Sequence, residues 1–186
     1  IEKDKLKKLQ EEMRNHLEGN PQLRRAYRRE KPGPGISNKD LKTHEELLNK
    51  KAIDDKIKET REYIKSDACN KNIHIGRQDK HIQGTNNFEQ EQSRLKGLGQ
   101  YGPGYITIEL EDAQKLIDKY HGTGRIGLTS KMEWDNKETI LDNDMIVGKV
   151  IDNRSGSLSD TSVFKIHYSD KGTHIVPDYP SKKKGR

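Results

Sequence analysis

Apolar residues come in two textures along this chain, and the change between them falls near Ile73. Before it they are sparse and helically spaced. Leu6, Leu9, Met13 and Leu17 recur at intervals of three and four, the single narrow stripe of an amphipathic helix. Gly19-Asn20-Pro21 ends that helix. Residues 22–30 offer a further basic turn carrying Arg24, Arg25, Arg28 and Arg29. Lys31-Pro32-Gly33-Pro34-Gly35 follows as a linker, since neither a helix nor a central strand tolerates that cluster of breakers. Ser37 or Asn38 caps a second helical stretch with Leu41, Leu47, Leu48, Ile53, Ile57 and Ile64 scattered along it. Stripes this thin need a partner, so the region reads as a stalk or connector.

From Ile73 onward glycine, threonine and β-branched residues rise and short alternating runs appear. Residues 77–87 are rich in turn formers and read as a loop. Tyr105 to Ile108 is a strand candidate. Glu109 to Tyr120 is a helix with Leu110, Ala113, Leu116, Ile117 and Tyr120 on one face, closed by His121-Gly122. Residues 139–141, 145–151, 163–169 and 173–176 read as strands. The fold class expected is therefore α+β: a helix followed by a small antiparallel sheet, preceded by a helical connector. The organisation expected is a connector over 1–72, a folded body over 73–178 and a basic tail over 179–186.

Composition sharpens this division. Only 28% of the 186 residues are hydrophobic and 35% are charged, too little apolar material for one core spanning the whole chain. No apolar run approaches the ~18 residues of a bilayer span, so no membrane is expected. A single cysteine, Cys69, excludes an internal disulfide framework and a multi-cysteine zinc site; a Cys69 nucleophile is disfavoured by its place in the connector. The net charge of +6 is uneven. Residues 1–72 carry 19 basic against 14 acidic groups, and four further cations lie in the tail, so the body itself is slightly acidic. The chain begins at Ile1 without Met or a signal-like apolar stretch, and reads as a piece of something longer.

The candidate chemistry lies in the last alternating run. Phe164, Ile166 and Tyr168 point to one face, while Lys165, His167 and Ser169 point to the other, about 7 Å apart along the strand. Asp170-Lys171-Gly172 turns the chain back and His174 returns on the next strand. A two-residue Lys171-Gly172 loop sets His174 beside Ser169; a three-residue loop with left-handed Gly172 sets it opposite Tyr168. Both registers remain open. Upstream, Lys80, His81 and Gly84-Thr85 supply a cation, an imidazole and a hydroxyl for a phosphate. Three imidazoles could in principle ligate a metal, but no His-x-x-x-His or clustered-carboxylate spacing supports it.

Three strings carry a resemblance: Gln78 to Asn87 (QDKHIQGTNN), Asp112 to Gly124 (DAQKLIDKYHGTG) and Phe164 to Pro177 (FKIHYSDKGTHIVP). Together they resemble the polymorphic toxin type 50 domain over roughly 73–178, with Gln83 where that family often has proline. The resemblance implies a C-terminal effector ribonuclease of the barnase–EndoU–colicin–RelE class of folds, found in secreted bacterial toxins and similar to the tails of some phage minor head proteins. It implies an RNA substrate, a cognate immunity protein, and a carrier or phage head reached through residues 1–72. It also implies delivery to a target-cell cytoplasm or, alternatively, a place in a virion. The chemistry expected is metal-independent RNA cleavage by 2′-OH transesterification, with no cofactor. His81, Lys165, His167 and His174 are the expected catalytic residues; Lys80, Thr85 and Ser169 are expected to bind phosphate. The rival is a non-enzymatic phage head module that binds nucleic acid or other head proteins, although its basic groups would then be expected in the body.

Overall fold

The computed structural model describes residues 2–18 and 38–185. The expectations for the Gly19–Pro21 stop, the Arg24–Arg29 turn, the 31–35 linker and a Ser37 cap lie outside the described residues. The chain divides into two compact units, Ile1–Asp55 and Lys56–Arg186. In the first, α1 (Glu2–Glu18) and the start of α2 (Asn38–Lys65) are helical. His44 of α2 is buried, its ring 5.9 Å from that of His16. Burial, then the neighbouring His16, holds its pKa below the ordinary imidazole value.

The second unit is α+β, with helices and two small antiparallel sheets where the pattern pointed to one. One sheet runs β2 (Arg125–Leu128), β3 (Trp134–Ile140), β6 (Phe164–His167), β7 (His174–Pro177). The other runs β1 (Tyr105–Ile106), β4 (Gly148–Ile151), β5 (Leu158–Thr161). The helix α5 (Leu110–Tyr120) lays Ala113, Leu116 and Ile117 into the core, where they meet Ile126, Ile140, Phe164, Ile166 and Ile175. Ile64 at the end of α2 is fully buried in this core and Cys69 nearly so. The last turn of α2 and the segment after it thus supply core material to the body. Among the described residues no helix is long and apolar enough to cross a membrane.

Three local results correct the pattern reading. Residues 77–87, expected as a loop, are largely helical: α3 (Ile75–Gln78) runs into a 3₁₀ turn (Asp79–His81), and α4 (Asn86–Gly97) follows. Strands β2 and β5 and the first half of β3 were not apparent in the pattern. The C-terminal residues do not trail away: Pro180–Gly185 form a 3₁₀ turn. Lys182 pairs with Asp178 at 2.6 Å, and Lys183 donates to the Asn143 carbonyl at 2.6 Å.

Candidate active site

The β6–β7 hairpin turns on Asp170-Lys171. Ser169 and Gly172 exchange backbone hydrogen bonds of 3.1 Å, and Gly172 takes φ 129°. A Cβ there would meet the Asn72 carbonyl at 2.6 Å, so the close approach of the 72–74 segment demands glycine. Neither expected register is the observed one: His174 stands directly opposite His167, with Ile175 opposite Ile166 in the core. Opposed residues share a face, so both imidazoles and Lys165 lie on the polar side of the sheet.

His81 is brought to them by a side chain that imitates a strand. Gln78 is fully buried; its amide donates to the Ile175 carbonyl (2.9 Å) and accepts from the Ile175 N–H (2.8 Å). The edge of β7 is thereby satisfied and the 3₁₀ turn is fixed beside it. The His81 ring stacks on His174 at 5.8 Å and 13°, and His174 lies 4.8 Å from His167. Nδ1 of His81 lies 2.9 Å from the Gly104 carbonyl. A carbonyl only accepts, so that nitrogen carries the proton and Nε2 is the acceptor of the neutral ring.

The three rings differ electrostatically. Burial, followed by the charges of His174 and Lys137, pushes His167 down to about 3. Burial, then His81 and Arg77, pushes His174 to about 4, and its Nδ1 is buried without a partner. Burial also lowers His81, but the Gly104 carbonyl and the Glu91 carboxylate oppose it. Lys165 is half-buried. Burial lowers its pKa more than the ion pair with Asp178 at 3.6 Å raises it.

Lys137, which the strand pattern missed, stands opposite His167 on β3. A bulge puts it there: the β2–β3 register jumps between Ile126 and Leu128, and Asn136 sits at φ 61°. The Lys137 N–H donates to the Asp135 carboxylate at 2.9 Å. Such a bulge re-aims a side chain toward a site. Lys80 is exposed beside His81. The two expected phosphate-binding hydroxyls are engaged locally. Thr85 caps α4, accepting from the Phe88 N–H at 3.1 Å and donating to the Asp79 carbonyl at 2.6 Å. Ser169 donates to the Gly172 carbonyl at 2.8 Å. Among the described residues no three His, Cys, Asp or Glu side chains are arranged to hold a metal ion.

Beneath the cluster, Glu138 is fully buried on the core face. Its carboxylate accepts from the Gly122 and Gly124 amides (3.1 and 2.6 Å) and from the Tyr168 hydroxyl (2.7 Å). Arg61 closes the same loop from the other side, donating to the Gly122 and Gly124 carbonyls at 3.1 and 2.7 Å. The floor of the hairpin is thus a satisfied polar network rather than an apolar core.

The α+β body is the fold class expected from the toxin resemblance. The family model described as bacterial toxin 50 matches residues 73–177, more than half of the chain. The chain belongs to that family and carries a bacterial toxin domain of the polymorphic type. No curated protein matches the chain.

Proposed function

We propose that this toxin domain is an endoribonuclease that cleaves RNA by 2′-OH transesterification without a divalent metal. The observation that carries the reading is the His81–His174–His167 contact beside Lys165 and Lys137. In the free protein His167 and His174 are neutral at pH 7, the state a general base needs. One of them takes the ribose 2′-proton as that oxygen attacks phosphorus. His81, whose pKa burial lowers against the opposing Gly104 carbonyl and Glu91, donates as the imidazolium to the departing 5′-oxygen as the P–O5′ bond breaks. Lys165 faces the charge of the phosphorane. The products are a 2′,3′-cyclic phosphate and a free 5′-hydroxyl, and no cofactor is consumed.

A toxin of this kind acts after secretion into another cell, and its producer needs an inhibitor; an acidic immunity protein fits the Lys165/His167 face. The test is incubation of the full chain with RNA in EDTA, with end-group analysis of the fragments. Cleavage leaving cyclic phosphate supports the reading. Loss of cleavage in EDTA with rescue by zinc overturns it.

A further inference from the structure

The polar face of the four-stranded sheet continues past the histidines. In the ladder Arg125 is opposite Thr139, and Thr139 is opposite Lys165; Lys137 is opposite His167. Arg125, Lys137, Lys165 and His167 therefore share one face across three strands. A cleft of about 220 Å³ opens there, with Arg125, Lys137, Lys165 and Lys182 in its walls together with Asp135. Asp178 takes both Lys182 (2.6 Å) and Lys165 (3.6 Å). Among the described residues no ion pair engages Arg125 or Lys137, and both are exposed. Two unpaired cations in a cleft walled by sheet and 3₁₀ turn concentrate potential for an anion.

We infer that this cleft is a second phosphate subsite, which holds a neighbouring phosphate of the RNA strand by Arg125 and Lys137. The inference rests on the ribonuclease reading for its substrate. Arg125 lies two strands and one pleat repeat from His167, about 12 Å by sheet spacings. That backbone separation is wider than a single phosphodiester unit and suits a phosphate neighbouring the one being cleaved. The guanidinium fork suits bidentate capture of a phosphate, and Lys137, between the cleft and His167, links the two positions. Asp135 opposes the anion and sets a limit on affinity.

The test uses the full chain and a fluorescent 2′-O-methyl tetranucleotide, whose capped 2′-oxygen cannot attack. Anisotropy is read across a salt series for the wild type, Arg125→Ala/Lys137→Ala, Asp135→Asn and Lys115→Ala; Lys115 is an exposed lysine on α5. The double variant should bind about 10-fold more weakly, with its log–log salt slope reduced by about 1.4, as expected for two lost phosphate contacts on single strands. Asp135→Asn should bind more tightly and Lys115→Ala like the wild type. Unchanged affinity and slope in the double variant, or an equal loss in Lys115→Ala, overturns the subsite. If the wild type also cleaves the corresponding RNA, that failure leaves the ribonuclease reading intact. Binding that depends on Arg125 and Lys137 in a wild type that cleaves nothing overturns the ribonuclease reading and keeps the cleft as a nucleic-acid phosphate site.

Discussion

At the residue scale the imidazoles divide by what surrounds each ring. Removing a positioned general acid or base costs ~10²–10⁴-fold in rate, so His81→Ala and His167→Ala should each lose that much RNA cleavage while circular dichroism stays native. The kcat/KM profile should be bell-shaped and displaced to acid. Its basic limb follows His81, lowered from 6.5 by burial, and its acid limb follows the His167–His174 pair near 3 and 4. The optimum therefore falls below pH 6.5, and a maximum at pH 8 would contradict the assignment. Glu138 does no chemistry but is as exacting. Both its oxygens accept from donors: two amides and a phenol. Glu138→Gln turns an NH₂ toward one of them and should cost about 1–3 kcal/mol by urea denaturation. The same residue shows why part of the sheet was illegible. A charged side chain at an inward position of β3 breaks the apolar/polar alternation, so Trp134 to Lys137 gave no strand signal and Lys137 went unnoticed.

Elements were legible in proportion to how much apolar surface they bury. Helix α5 puts three residues into the core and was read to within a residue. Helix α4 buries only Phe88, and its signature is one capping hydroxyl at Thr85, which reads equally well as a turn residue. The polar face of β6 was visible from its period of two. The hairpin register was not, because it depends on Asn72 crowding Gly172 from a segment a hundred residues away. His81 was nameable as chemistry, but its contact with His174 depends on the Gln78–Ile175 clamp, a long-range pairing that no local pattern encodes. Gln78→Ala removes both bonds and leaves the Ile175 amide and carbonyl unpaired in the core. It should lower stability by about 1–3 kcal/mol and speed hydrogen exchange at the Ile175 amide ahead of the β3 amides. Uniform exchange changes across the sheet would mean that Gln78 does not hold this edge.

Across the whole molecule, the gathered histidines tie stability to pH. His167 and His174 titrate near 3 and 4 in the folded chain and near 6.5 when unfolded. Below about 6.5 the unfolded chain therefore binds protons that the folded chain refuses. The stability linked to their neutral burial is fully present above that value. It is lost progressively as pH falls from about 6.5 toward 4 and 3. Urea midpoints measured between pH 7.5 and 4 should fall with acidification. The His167→Ala/His174→Ala double variant should lose much of that slope, because it removes the two most strongly lowered imidazoles. A phosphate ligand should act in the opposite direction. An anion against the cluster favours the imidazolium forms, so bound oligonucleotide should raise the histidine titrations observed by NMR and flatten the acid loss. An equally steep acid loss in the double variant would place its origin outside these two histidines.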